Sequence, residues 1–122
     1  MILADTSIWI DHFRSENIEM RKHLSDGNIA THPFIIAELA LGSLHQRTNT
    51  LALLDLLPQV PMANVTEVRA MIEARRLYNL GIGLTDAYLI ASVFIGSPTL
   101  LWTRDKRLRA AAEGLGIHAS LA

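Results

Sequence analysis

Short apolar runs in this chain alternate with segments of helical character, and two of the runs end directly on helix-capping residues. Ile2-Leu3-Ala4 passes into Asp5-Thr6-Ser7, and Thr99-Leu100-Leu101-Trp102-Thr103 passes into Arg104-Asp105. Asp, Thr and Ser side chains accept from the free N–H groups of a first helical turn, so each junction reads as strand then helix. Strands that alternate with helices build an α/β fold around a mainly parallel sheet. That restriction also places any site. In parallel sheets ligands gather beyond the carboxyl ends of the strands, where the junction residues meet.

The rest of the chain fits the same scheme. A helix begins near Ile8 and runs to Phe13, Ser15 caps a second helical piece that ends at Gly27, and residues 28–31 form a second strand. Pro33 suits the first turn of a helix through Phe34, Glu38 and Leu41. A further helix from near Thr48 stops before Pro58, and Gln59-Val60 is a minimal strand. Asn64 and Glu67 have the spacing of a capping box, and the helix they start closes at Gly81. Thr85 or Asp86 opens a strongly apolar helix that ends at Gly96. Residues 105–113 form the last helix, stopped by Gly114 and Gly116, and Ile117 begins an edge strand. With 122 residues, no repeat and no linker, residues 1–122 are expected to form one domain.

Composition narrows the function. The chain has no cysteine, which excludes disulfides and thiolate metal sites. No apolar run reaches the ~20 residues of a membrane span. Met1-Ile2-Leu3-Ala4-Asp5 has no basic region ahead of an apolar stretch, so no signal peptide is expected and the cytoplasm is the expected location. A net charge of −1 is low for a nucleic-acid protein, but the cations are clustered. Arg104, Lys106, Arg107 and Arg109 share one stretch, and Arg69, Arg75 and Arg76 another. Each is a solvated helix face or a phosphate contact.

Four acidic residues carry the chemistry. Asp5 and Asp105 stand where a strand gives way to a helix, and Asp86 stands at a helix start. Taken singly, each reads first as a helix cap. Glu38 resists that explanation, because it lies inside a helix with Phe34, Ile35, Leu41 and Gly42 one turn away. A carboxylate buried there alone costs several kcal/mol or takes up a proton, unless a cation sits beside it or it reaches water at the rim. If all four converge, two carboxylates about 5 Å apart repel by roughly 3 kcal/mol at an effective dielectric near 20. A hard cation relieves that repulsion, and an all-oxygen site suits Mg2+ or Mn2+. Such a cation activates water and stabilises charge on a phosphoryl group.

Asp5-Thr6-Ser7 after the first strand, Ala37-Glu38-Leu39 in an early helix, Thr85-Asp86-Ala87 opening an Ile-Ala-rich helix, and Thr103-Arg104-Asp105 after a late strand together resemble the PIN domain family. Size and the stretch Gly81-Ile82-Gly83-Leu84-Thr85-Asp86-Ala87 are similar to the toxin half of bacterial VapBC toxin–antitoxin pairs. The resemblance covers the whole chain. It implies an α/β/α sandwich with a short, mainly parallel central sheet flanked by helices. It implies an Mg2+- or Mn2+-dependent endoribonuclease whose catalytic and metal-binding residues are Asp5, Glu38, Asp86 and Asp105. Thr6 or Ser7, with Thr103, match the supporting positions. RNA as substrate, a cognate VapB-type antitoxin lying over the active site, and a homodimer are the implied partners. The chain departs from the pattern after Asp105, where some members carry a further acidic residue. Here Lys106-Arg107-Leu108 follows, which casts doubt on a second metal ion, and Arg104 and Arg107 become candidates for RNA phosphates.

Other features point elsewhere or nowhere. The five histidines lack ligand spacing, although His12 and His32 lie near the expected strand ends, and the rest are expected at the surface. Trp9 and Phe13, one helical turn apart, read as core or as an interface, and Trp102 reads as core. Two further functions compete with the nuclease. A metal-dependent α/β phosphatase would use Asp5 as nucleophile, but the acid wanted two residues on is Ser7. A non-catalytic PIN-like binding module would use the carboxylates merely as caps.

Overall fold

Two short strands flank a third. β1 (Ile2–Ala4) lies between β2 (Ile29–Ala30) and β3 (Leu100–Trp102), and both pairings are parallel. Ile2 stands beside Ile29 and Leu100, Leu3 beside Ala30 and Leu101, and Ala4 beside Trp102. The computed structural model describes residues 1–96 and 98–121. Parallel neighbours need a crossover, usually helical. α1 (Thr6–Arg14) and α2 (Ile18–Ser25) connect β1 to β2. α3 (Pro33–Leu41), α4 (Arg47–Asp55), α5 (Val65–Arg75) and α6 (Leu84–Ile95) connect β2 to β3, and α7 (Lys106–Gly114) follows. The result is the expected α/β/α arrangement, a short parallel sheet flanked by helices.

The sequence pattern explains the burial. Leu3, Leu101 and Trp102 are buried completely, as strands covered on both faces require. In α6, residues 87–93 are all buried, and a helix that is apolar all round belongs inside. It packs on α5 and β3. Tyr88, Ala87 and Ala91 form a second small core with Val68 and Ala63, joined by Phe34, whose ring lies 4.8 Å from that of Tyr88. Trp9 is core. Its neighbour Phe13 is half exposed, with ring centroids 5.7 Å apart.

Several boundaries differ from expectation. Asn17, not Ser15, caps α2, its Oδ1 accepting from the Met20 N–H, while Ser15 ends α1. α5 stops at Arg75, where Arg76 enters the left-handed region at φ 54°, so Gly81 belongs to a following loop. α6 starts at Leu84, one residue early, which makes Asp86 its third residue. Gln59 and His118 each make one parallel bridge, to Thr31 and Leu101, so the sheet edges are fringes rather than strands. His32 is fully buried instead of facing a site. Its Nδ1 accepts from the Phe34 N–H and caps α3, and burial holds its pKa below the usual histidine value. His23 is only partly exposed, with its ring edge-on to Trp102.

The Asn64–Glu67 capping box forms as its spacing requires. Glu67 N–H donates to Asn64 Oδ1 at 2.8 Å and Asn64 N–H donates to Glu67 Oε1 at 2.9 Å. Asn64→Ala is expected to lower unfolding free energy by about 1 kcal/mol in urea titrations, with Asn64→Asp close to wild type. Equal stability of all three proteins would remove the cap from any part in holding α5.

Candidate active site

Register brings the first pair of site residues together. Ala4 is in register with Trp102, so the residues that follow them, Asp5 and Thr103, leave adjacent strands side by side. The Asp5 N–H continues the ladder to the Trp102 carbonyl at 3.0 Å. Thr103 Oγ1 donates to Asp5 Oδ2, and Ser7 Oγ donates to Asp5 Oδ1. The Ile8 N–H also reaches Oδ1, at 3.3 Å, so Asp5 caps α1 as well. Backbone groups hold the two hydroxyls in turn. The Arg104 N–H donates to Ser7 Oγ at 2.9 Å and the Asp105 N–H to Thr103 Oγ1 at 3.0 Å. Asp5 is only 6 % exposed. Burial raises its pKa, and the hydroxyl and N–H donors work against that rise.

The other carboxylates arrive from three helices. Asp105 caps α7, its Oδ1 accepting from the Arg107 and Leu108 N–H groups at 3.0 and 2.9 Å. Asp86 Oδ2 accepts from the Gly83 N–H at 3.1 Å, reaching back over the first turn of α6. Burial raises the Asp86 pKa most. The Gly83 bond opposes the rise, and the charges of Asp105, Asp5 and Glu38 add to it. Asp86 therefore stands within electrostatic reach of the other three. Glu38 accepts from Thr6 Oγ1 at 2.7 Å. Thus the two hydroxyls after Asp5 divide the work, with Thr6 on Glu38 and Ser7 on Asp5.

For Glu38 the rim position, one of the two the sequence left open, is the one the structure takes. The residue is exposed, because α3 turns Ile35 and Leu39 inward and leaves Glu38 on the rim. No burial cost calls for a cation there. The case for a cation rests on the mutual repulsion of the cluster instead. Among the described residues no three acidic or histidine side chains are already closed around a common metal position. The donors are nonetheless all carboxylate oxygens, and Asp105 and Glu38 open to water. That chemistry fits a hard cation that keeps several waters, as Mg2+ does, and not a closed structural site.

Cations stand on either side. Arg104 is tied up, its Nη2 lying 3.1 Å from Asp11 Oδ2, which also accepts from Asn17 Nδ2. Arg107 makes no ion pair among the described residues and lies across Gly81. A Cβ on Gly81 would stand 2.8 Å from Arg107 Cδ, and φ there is +75°. A groove of about 770 Å³ adjoins Glu38, lined by Ile10, His12 and Phe13 of α1 and by the residues that follow α3. The groove, the Asp11 partner of Arg104 and the Arg107–Gly81 contact had no signal in the sequence. Each joins side chains that no short motif links.

This fold and acidic cluster define a class. The profile of the PIN domain family matches residues 2–114, and the chain belongs to that family. Within it, the chain is similar to Ribonuclease VapC32 of Mycobacterium tuberculosis, 44% identical over 117 residues that cover 96% of this chain and 94% of the relative. The protein of that name from strain H37Rv matches equally. The crystal structure of PAE2754 from Pyrobaculum aerophilum superposes with a TM-score of 0.59 at 20% identity, over 93% of this chain and 80% of that one, which supports the fold alone.

The raised pKa of Asp86 carries a stability consequence. A carboxylate harder to ionise when folded than when unfolded favours the folded state at low pH. That advantage is lost as pH rises from the unfolded value of 3.8 through the raised folded one. Asn at this position keeps an acceptor for Gly83 and removes the charge. In chelator at pH 7, Asp86→Asn is expected to be more stable than wild type by about 0.5–1 kcal/mol, a value discounted for solvent screening. The gap is expected to close below pH 3.8. Thermal melts across pH check this, and a destabilised variant at neutral pH would contradict the raised pKa.

Proposed function

We propose that the protein is a divalent-metal-dependent endoribonuclease, the toxin of a VapBC-type pair, and that residues 1–122 act as one domain. The observation that carries this reading is the electrostatic coupling of Asp86 to Asp105, Asp5 and Glu38 at the carboxyl edge of a parallel sheet. The similarity to a protein named Ribonuclease VapC32 supports RNA as substrate and a VapB-type antitoxin as partner.

In this reading Asp5, Glu38, Asp86 and Asp105 hold Mg2+ or Mn2+. When bound, the cation supplies positive charge to the phosphoryl oxygens and acidifies water. Thr103 and Ser7 hold both oxygens of Asp5, which fixes the orientation of its carboxylate. Thr6 positions Glu38 at the rim, where incoming RNA displaces little protein. Arg107 stands free to meet a phosphate, whereas Arg104 must exchange Asp11 for one. The groove beside Glu38, with exposed Ile10 and Phe13, suits the apolar face of an antitoxin segment, which would then lie next to the acids. Family resemblance supports a homodimer and a cytoplasmic location. No helix among the described residues is long and apolar enough to cross a membrane. The phosphatase alternative loses support here, since an Asp5 buried and held at both oxygens is poorly placed to attack phosphorus.

Partner-free protein incubated with total RNA is expected to give discrete cuts with magnesium or manganese and none with chelator. Asp86→Asn is expected to cut at least ~100-fold more slowly while remaining folded. Magnesium at about 100 times its dissociation constant is expected to stabilise wild type by roughly 2.7 kcal/mol, and Asp86→Asn by less. Cleavage that survives chelator, or full activity in the variant, would sink the assignment.

A further inference from the structure

A second cleft, of about 480 Å³, shares no lining residue with the Glu38 groove and takes in Lys106 and Arg107, which directly follow Asp105. Its floor is apolar, with Leu77, Leu80 and Leu115, and its rim carries Arg75, Lys106 and Arg107. No acidic residue lines it. None of the three cations forms an ion pair among the described residues, whereas Arg104 and Arg109 are paired with Asp11 and Glu113. Arg75 is held in place, its guanidinium stacked 3.7 Å above the Phe94 ring. Leu80 is 44% exposed although it borders the cleft.

Arg107 links this cleft to the acidic site. Its backbone N–H donates to Asp105, and its side chain crosses Gly81, two residues before the Gly83 N–H that holds Asp86. A strand whose phosphate sits at the acids and meets Arg107 is thereby led into the cleft. Apolar floor and cationic rim together match a nucleotide, which offers a base face and an anionic phosphate. They do not match an acidic peptide equally well, because the floor has no polar group to order a backbone.

We infer that this cleft is a subsite for a nucleotide flanking the scissile bond, with its base on Leu80 and Leu115 and its phosphate on Lys106 and Arg107. The inference rests on the nuclease reading and adds the direction in which the RNA runs. Gly81 is part of the device, since a side chain there would push Arg107 off its path.

The test uses a fluorescein-labelled single-stranded RNA spanning a cut site mapped with wild-type protein. Leu80→Asp alters an exposed loop residue, and Lys106→Gln removes a cation from a helix first turn without adding an acid beside Asp105, so both variants should fold. Each is expected to raise KM by about two- to five-fold or more with kcat nearly unchanged. In the Asp86→Asn background with magnesium, anisotropy is expected to show weaker binding. Lys106→Gln is expected to reduce the salt slope of log K by roughly 0.7–1. Wild-type KM and salt slope in both variants, with wild-type protein cutting the RNA, would overturn the subsite alone. Neither cutting nor binding by wild type would overturn the nuclease reading and the subsite with it.

Discussion

A carboxylate at the end of the central strand, removed from water, sets the terms for the rest of the site. Asp5 leaves β1 beside Thr103 because Ala4 and Trp102 are in register, and one slip of that register would turn every side chain to the other face. Trp102 and Leu3 lie wholly inside the core, so the register is fixed by packing that the acid itself does not supply. The hydroxyls of Ser7 and Thr103 then make the burial tolerable, and the backbone of Arg104 and Asp105 holds those hydroxyls. A site built this way has little freedom at its centre and more at its rim, where Glu38 and Asp105 reach water.

The cluster stores repulsion that the fold offsets only in part. Helix starts supply N–H donors to Asp5, Asp86 and Asp105, and partial positive charge with them. Those caps were the simplest reading of the acids, and they form. Capping and cation binding are not rivals here. The same junctions that need an acceptor bring the acceptors together, and in the proposed reading a cation would offset the burial and the neighbouring charges that raise the Asp86 pKa. Glu38 sharpens the point. As it is not buried, its presence is not explained by the core, and Thr6 spends its hydroxyl on keeping it at the rim.

Around this centre the cations sort by partner. Arg104 is latched to Asp11 on the side of α1, next to the groove with Ile10 and Phe13. Arg107 and Lys106 of α7 and Arg75 of α5 make no ion pair among the described residues and surround a cleft of their own, with Arg75 stacked on Phe94. A chain with net charge −1 can therefore present positive charge where a polyanion would pass and apolar surface where a protein segment would lie.

Local rules read much of this from the chain. The strand-to-helix junctions at Asp5 and Asp105, the Asn64–Glu67 box, Pro33 at a helix start and the buried Trp102 all follow from chemistry within four residues along the backbone. The parallel α/β order followed from their alternation, and the four acids from their places in it. The sequence did not reveal which way α3 turns Glu38, where α5 gives way at Arg76, that His32 lies in the core, or which cation is paired and which is free. Thr103 meets Asp5 across 98 positions and Thr6 meets Glu38 across 32. Contacts at that range depend on how helices rotate to bury their apolar faces. That rotation minimises exposed apolar surface over the whole molecule, and no window of the sequence contains it.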